Sequence, residues 1–523
     1  MNAIATEADI IAIALAIVSP RHLHPAEACL GKPCADAKLV ASVRRDIADG
    51  GDPLGEAFLR NRSAVVRRTN GAVYTPQAII DAMISWAFTR GKPDRIIDPG
   101  CGSGRYAIAA GRVWPHAEIV AVDLDPLATL MTKAALTVHR MMSRSTVQLC
   151  GYNEAIIPSI DGVTLFIGNP PYVRHHDIDT KQKEWLSRTS AAFGVRASQL
   201  AGLHVHFFVR TLELAREGDL GCFITSAEWL DVNYGDALRR LLAGQLGGES
   251  IHMVRAEAMP FADAMTTGAI TCFRPWQKTE SIRFEDVSSV AGLTRLDGGT
   301  ERLRVEAVEL PRWSILIRPG PARPAGSIEL GEIARVSRGQ VTGNNAAWID
   351  GLHSASVPER FKLPTITRAK ELIAAGAILA SNQHLKRLVN LPVDLSELSD
   401  DEREGVDRFL DWCRREGVPT GYVACHRKAW HAINLYEPAP ILCTYMARRA
   451  PAFVRNAVGA RHINIAHGIY PRQAMELNQL DELVRRLTLS VGIESGRTYA
   501  GGLTKFEPGE LERIVLAPAE EHS

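Results

Sequence analysis

The sequence predicts an α/β protein: a mostly parallel, seven-stranded sheet covered by helices on both faces, followed by a separate α+β domain. Three observations carry this reading. Between residues 71 and 290, seven short apolar runs (95–98, 118–123, 146–150, 163–168, 220–225, 251–255 and 269–273) alternate with helix-period segments. Such alternation is the signature of a parallel sheet with crossover helices. The helical period is explicit in 204–216, where Val205, Phe208, Leu212 and Ala215 share one face. Past the proline-rich stretch 318–324 the alternation stops and short mixed segments with turn signals take over. A chain of 523 residues exceeds what one core organises. The expected division is a helical N-terminal extension (1–70), the sheet domain (71–290), a linker (291–325) and the C-terminal domain (326–523).

At the N-terminus, the apolar run 10–18 follows Glu7 and Asp9 instead of basic residues. It is too short to span a bilayer and wrongly flanked for a signal peptide, so it reads as a helix and no membrane association is expected. Sixty basic residues face fifty-nine acidic ones, a formal charge of +1. That excludes a polycationic coat but leaves room for a local basic groove. Arg60, Arg62, Arg67 and Arg68, the run Arg174-His175-His176, and His426-Arg427-Lys428, Arg448-Arg449, Arg455 and Arg461 are the clusters that could contact phosphates. Nine cysteines are scattered without a Cys-x-x-Cys pair, which speaks against a zinc ribbon or a disulfide framework and for the cytoplasm. The closest histidine pairs, His22/His24 and His204/His206, lack a cysteine or carboxylate at ligand spacing, so no metal is expected.

Within the sheet domain, Asp98-Pro99-Gly100-Cys101-Gly102-Ser103-Gly104 leads from a strand through a glycine-rich turn into a helix. Glycines there let the backbone turn tightly and approach a ligand. Asp123 ends the next strand, twenty-five positions after Asp98, where an acid can accept from the two hydroxyls of a ribose. A nucleoside cofactor is therefore expected, with Asp125 capping the helix that starts near Pro126. The most specific signal is an apolar strand running into Asn169-Pro170-Pro171-Tyr172. The prolines stiffen the backbone and leave carbonyls facing outward. The Asn169 amide oxygen and the Pro170 carbonyl can accept both hydrogens of a planar amino group, while Tyr172 offers a face on which a flat ring stacks. This positions a weakly nucleophilic exocyclic amine for methyl transfer.

In the order Thr75-Pro76, Asp98 to Gly104, Asp123 and Asn169 to Tyr172, followed by a long C-terminal region, the sequence resembles the gamma-type amino-methyltransferases. These are N6-adenine DNA methyltransferases of type II restriction-modification systems, and the resemblance covers roughly residues 70 to 275. Segments 330–348 and 498–508 resemble parts of the family's target-recognition domains. The resemblance implies a Rossmann-like catalytic domain and S-adenosylmethionine as methyl donor. Thr75 and Pro76 would lie along its methionine end, Asp98 through Gly104 would cradle that end, and Asp123 would bind the ribose. It further implies double-stranded DNA as substrate and a flipped adenine held between Tyr172 and a second aromatic, and it leaves open whether a separate cognate restriction endonuclease exists as a partner. Phe261 is the candidate for that second face. Seventy N-terminal residues are too few to contain a fused magnesium nuclease, and the oligomeric state stays open.

One position departs from the family. Where an acid usually accepts from the cofactor's adenine amine, this chain reads Gly151-Tyr152-Asn153. Either Gly151 takes that slot, with Tyr152 packing on the adenine, or the turn is shifted and Asn153 is the acceptor. Two alternatives stay beside the DNA reading: an Asn-Pro-Pro-Tyr enzyme acting on RNA or on a protein glutamine, and a DNA-binding subunit whose catalytic site has decayed.

Overall fold

The computed structural model describes residues 4–62, 75–255, 267–289, 293, 296–310, 312–317, 327–447, 449–492, 497–499 and 503–516. The chain divides into two compact units, Met1–Pro319 and Gly320–Ser523.

In the first unit, nine strands among the described residues form one sheet. They are β1 (Arg95–Pro99), β2 (Glu118–Asp123), β3 (Ser145–Leu149), β4 (Thr164–Gly168), β5 (Leu220–Ser226), β6 (Gly248–Val254), β7 (Gly268–Phe273), β8 (Ser281–Val287) and β9 (Thr300–Leu303). Their spatial order is β3-β2-β1-β4-β5-β7-β6-β8-β9. The first seven match the runs expected from sequence to within a few residues. Pairing is parallel except where β7 joins β5 and β6 and where β9 joins β8. Both faces are buried, and successive residues serve opposite cores. Ile96, Ile119, Leu165 and Ile167 point to one core, whereas Ile97, Val120 and Phe166 point to the other. Such near-continuous apolar strands are what a doubly covered sheet requires.

Order reverses between β1 and β4, since β1 leads outward to β2 on one side and β4 lies on the other. The loops after these strands therefore diverge and open a crevice at their C-terminal ends, the usual ligand position in such sheets.

Helix α1 (Glu7–Ile17) carries the apolar run foreseen near the N-terminus, with Thr6 and Asp9 forming its capping box. It packs with α2 (Ala37–Ala48) and α3 (Pro53–Asn61) on Leu127, Leu130, Met131 and Ala134 of helix Pro126–Val138. The N-terminal extension thus shares a core with the helix that follows β2. No helix among the described residues is long and apolar enough to cross a membrane.

The boundary expected at 290 is corrected by the structure. β9 extends the sheet inside the stretch read as linker, and the short helices Arg304–Glu309 and Ser314–Ile317 follow it. Between them Trp313 is fully buried, with ring centroids 6.0 Å from Trp229 and 5.5 Å from Phe284. Thr-Glu-Arg-Leu is a largely exposed edge strand without apolar alternation, which is why the period-2 signal is missing.

The second unit is α+β. A mixed five-stranded sheet comprises β10 (Ala334–Arg338), β11 (Ile378–Leu379), β12 (Ile441–Thr444), β13 (Phe453–Asn456) and β14 (Ala466–Pro471), in the spatial order β10-β14-β12-β13-β11. Helix Leu477–Ser490 contributes Leu483, Val484 and Leu487 to its core. Leu330 and Phe506, from the two segments resembling recognition domains, meet in that core. The Leu330 N–H donates to the Ile514 carbonyl at 2.9 Å.

Candidate active site

After β1 the backbone turns through Gly100, Gly102 and Gly104, with φ of +72°, +56° and +87°, before helix Arg105–Val113 begins. Side chains disfavour this left-handed region, and at two positions the space is also closed. A Cβ on Gly104 would stand 3.1 Å from Thr132, and one on Gly100 would stand 3.3 Å from Cδ of Pro171. A Cβ on Gly102 would meet nothing within 4 Å, so the middle of the loop borders open space.

Asp123 ties the next loop to this one. Its carboxylate accepts from the Gly102 N–H and from the Asp125 N–H, both at 2.9 Å. Asp125 in turn caps helix Pro126–Val138 by accepting from the Leu127 N–H at 2.9 Å, as its spacing predicts. Asp98 lies beneath the glycine turn, fully buried; one oxygen accepts from the Ala107 N–H at 3.0 Å and Oδ1 has no partner among the described residues. Burial, reinforced by the Asp123 charge, pushes its carboxyl up to about 8.

β4 delivers Asn169-Pro170-Pro171-Tyr172 to the same crevice. A Cβ on Gly168 would come within 3.1 Å of Asp98 Oδ1, so glycine is what lets the two strand ends approach. Asn169 donates through Nδ2 to the Thr75 hydroxyl at 3.0 Å, with Thr75 itself buried. Three stretches separated widely in sequence, at Thr75, at 98–104 and at 169–172, are therefore brought together. The Tyr172 hydroxyl is enclosed without a partner among the described residues, and burial raises its pKa.

After β3, the Tyr152 ring lies 5.2 Å from Phe207 and its hydroxyl is 3.2 Å from the Thr211 hydroxyl, so its polar end faces the core. The Asn153 Oδ1 lies 2.9 Å from where a Cβ on Gly151 would be. The amide thus stands over the glycine, in the space that a side chain at 151 would enter. Phe207 was not foreseen. It touches the same glycine loop, 3.7 Å from the Cβ position of Gly100, and its sequence signal was only that of one more apolar helix residue. His204 and His206 flank it, buried against Tyr234 and Trp185 and pushed down to about 4 by desolvation. Among the described residues no group of three or more His, Cys, Asp or Glu could hold a metal ion.

Phe261, Arg67, Arg68 and Arg448 lie outside the described residues. Several basic residues read as phosphate ligands have internal partners. Arg62 pairs with Asp125 at 2.6 Å and Glu7 at 3.2 Å, Arg455 pairs with Asp481, and Arg461 with Glu437. Arg427 donates to the carbonyls of Val341 and Thr342.

The strand order, the glycine turn and the acid ending β2 define an S-adenosylmethionine-dependent methyltransferase domain. The family described as Eco57I restriction-modification methylase matches residues 117–256. The one described as Type II methyltransferase M.Eco57I, C-terminal domain, matches residues 323–523. Type II methyltransferase M.XamI of Xanthomonas campestris pv. amaranthicola is 45% identical over 98% of each chain. Type II methyltransferase M.AccI of Acinetobacter calcoaceticus is 21% identical over 86% of each. The Type IIL restriction-modification enzyme MmeI, solved in complex with DNA, shares the fold with a TM-score of 0.57 and 12% identity, over 90% of this chain and 70% of that one. The chain belongs to the type II restriction-modification methyltransferases, with S-adenosylmethionine as methyl donor.

Proposed function

We propose that the protein methylates the N6 amino group of an adenine flipped out of double-stranded DNA, as the modification enzyme of a restriction-modification system. The observation that carries this is the Asn169-Pro170-Pro171-Tyr172 loop packed on the glycine turn at the switch point, with Asn169 oriented by Thr75. S-adenosylmethionine, when bound, supplies an electrophilic methyl group. The residues around the crevice fit it: Asp98 Oδ1 is a buried acceptor matched to a cationic ammonium, and Gly102 leaves the cradle open. Thr75 and Pro76 would border the methionine end, Asp98 through Gly104 would cradle it, Asp123 would accept from the ribose, and Asn153 would stand in for the acid the family places after β3.

On the substrate side, Asn169 Oδ1 and the Pro170 carbonyl accept the two amino hydrogens and Tyr172 stacks on the base, with Phe261 as the second face. Orientation is the main requirement, since the nucleophile is held in line and no strong base is needed. The proton released from nitrogen leaves along the hydrogen bond to Asn169 and on to water. Unstacking the base costs a few kcal/mol, which stacking and the two hydrogen bonds offset. The test is label transfer from tritiated S-adenosylmethionine to duplex DNA, tRNA, rRNA and release factor, followed by nucleoside analysis. N6-methyladenine in DNA is expected. Label in cytosine, RNA or protein, or in nothing while DNA binding persists, overturns the reading.

DNA affinity should fall steeply with salt, roughly a thousandfold between about 50 and 200 mM if six phosphates are contacted. A flat profile would remove phosphate contact as the source of affinity.

Asp98 gives a second expectation. Its carboxyl is protonated up to about pH 8 in the free protein, and a cationic ammonium favours the carboxylate. Binding near pH 7 should therefore release close to one proton, and affinity should rise with pH toward 8. The same shift bears on stability. Because the folded value lies above the unfolded one, the contribution of Asp98 is fully present below about pH 4 and is lost as pH rises toward 8. Calorimetric titration in buffers of different ionisation enthalpy measures the proton count. Proton uptake or no exchange, or an unchanged count in Asp98→Asn, contradicts the assignment.

A further inference from the structure

We propose that the N-terminal extension is a working part of the cofactor site, with Asp52 and Arg62 as positioning residues that hold the loops after β1 and β2. This rests on the placement of the cofactor in those loops argued above. The two residues sit at opposite ends of one helix, α3. Asp52 is its N-cap, accepting from the Gly55 N–H through Oδ1 at 2.9 Å. Its other oxygen accepts from the Ser103 hydroxyl at 2.6 Å, and Ser103 lies between Gly102 and Gly104 in the glycine turn. Arg62 is the C-cap, and its Nη1 donates to Asp125 Oδ2 at 2.6 Å. Asp125 is the residue whose N–H holds Asp123 Oδ1. One nine-residue helix therefore spans from the first loop to the second.

The local sequence is built for these contacts. A Cβ on Gly55 would fall 2.6 Å from the Ser103 hydroxyl and 2.2 Å from Asp52 Oδ2, so glycine makes room for the serine. Arg62 lies over the Phe58 ring at 4.2 Å and donates to Glu7 of α1, which fixes its guanidinium from behind. Burial pushes the Asp52 carboxyl up to about 6 although two donors face it, so the acid is retained inside at a cost in solvation. The loops themselves have few other side-chain ties of this kind: Thr132 donates to the Gly102 carbonyl at 2.9 Å from the helix after β2. With both loops braced from the extension, the Gly102 N–H and Asp123 keep the geometry a ribose needs without the cofactor having to order them, a gain from preorganisation.

The experiment uses the full chain and measures S-adenosylmethionine dissociation constant, KM for each substrate, kcat and thermal midpoint. Asp52→Ala should weaken cofactor binding about tenfold, with kcat and KM for DNA within about twofold, and Ser103→Ala should weaken cofactor binding to a similar degree. The double variant should be no weaker than Asp52→Ala, because the Ser103–Asp52 hydrogen bond is already lost in either single variant. Asp52→Asn should recover most of the affinity, since its Oδ1 can still accept from the Gly55 N–H while its Nδ2 donates to the Ser103 hydroxyl, which then accepts. Val43→Ala, in the core of the same extension, should lower the thermal midpoint and leave cofactor affinity unchanged. Should Asp52→Ala misfold, Ser103→Ala and Asp52→Asn carry the comparison. Losses that multiply in the double variant, or a lower midpoint with unchanged affinity in Asp52→Ala, overturn the proposal. Asp123→Ala separates the two levels: if it too leaves affinity unchanged, the cofactor placement itself fails, whereas weakened binding there with normal Asp52→Ala refutes the brace alone.

Discussion

Asn169→Ala should lower methyl transfer by about a thousandfold or more while leaving S-adenosylmethionine binding within about threefold of the parent. The carboxamide is held by its nitrogen side, which donates to Thr75, so the acceptor it presents to an amine is Oδ1. Truncation removes that acceptor and the orientation of the nucleophile together. Its side chain is tied to Thr75, whereas the loops assigned to the ribose are tied to each other through the Gly102 N–H and Asp123. Thr75→Val is the informative companion. It keeps the shape but removes the oxygen that orients the amide, and about a tenfold loss in kcat is expected from one hydrogen bond. Single-turnover rates and equilibrium binding, measured together, decide the matter. Turnover within tenfold of the parent in Asn169→Ala would sink the assignment of the amide to the reacting amine.

Particular residues show why some of this architecture can be read directly from sequence. Strands β1, β2 and β4 are five or six residues long and apolar at their centres, and a glycine or proline stands at or within three residues of each C-terminal end, so periodicity and punctuation coincide. The chemistry of the site is similarly local: the glycine turn and the Asn-Pro-Pro-Tyr loop each carry their signal in consecutive residues. Contacts across sequence distance are a different matter. Ser103 meets Asp52 over 51 positions and Arg62 meets Asp125 over 63, and nothing in either neighbourhood announces the partner. Arg62 reads as one member of a basic cluster because charge runs are judged without their counterions; in the fold it joins Asp125 and Glu7 in a half-buried network. Tyr152 shows the same limit, since an aromatic beside the expected acid position can face the cofactor or the core, and its hydroxyl is taken by Thr211. β9 and Trp313 were missed for another reason. An edge strand needs no apolar alternation, and one tryptophan has no period.

The extension also supplies the largest expected effect on stability, at Glu27. Its side chain is fully buried, with the Lys133 ammonium 2.7 Å from each oxygen. The Thr129 hydroxyl donates to Oε1 at 2.6 Å and the His24 N–H to Oε2 at 2.7 Å, so every strong acceptor direction is used. A pair this completely satisfied contributes little beyond what well-packed apolar residues would, because desolvation offsets most of the attraction. Breaking it is another matter. Glu27→Ala leaves a buried ammonium alone in the core shared by α1 and helix Pro126–Val138, and should destabilise the first unit by roughly 3–5 kcal/mol. For a unit of this size that lowers its thermal midpoint by on the order of 10 °C. Glu27→Leu combined with Lys133→Met removes both charges at similar volume and should recover most of the loss, although Lys133→Met alone strands the carboxylate and should resemble Glu27→Ala. Calorimetry of the parent, Glu27→Leu, Lys133→Met and the double variant gives the coupling directly. A cost under about 1 kcal/mol for Glu27→Ala, the range of a solvent-exposed pair, would mean that water reaches Lys133 and that the extension is less firmly seated than its contacts indicate. A recovered double variant with normal cofactor affinity would show that the anchoring of α3, and not the charge itself, is what the cofactor loops require.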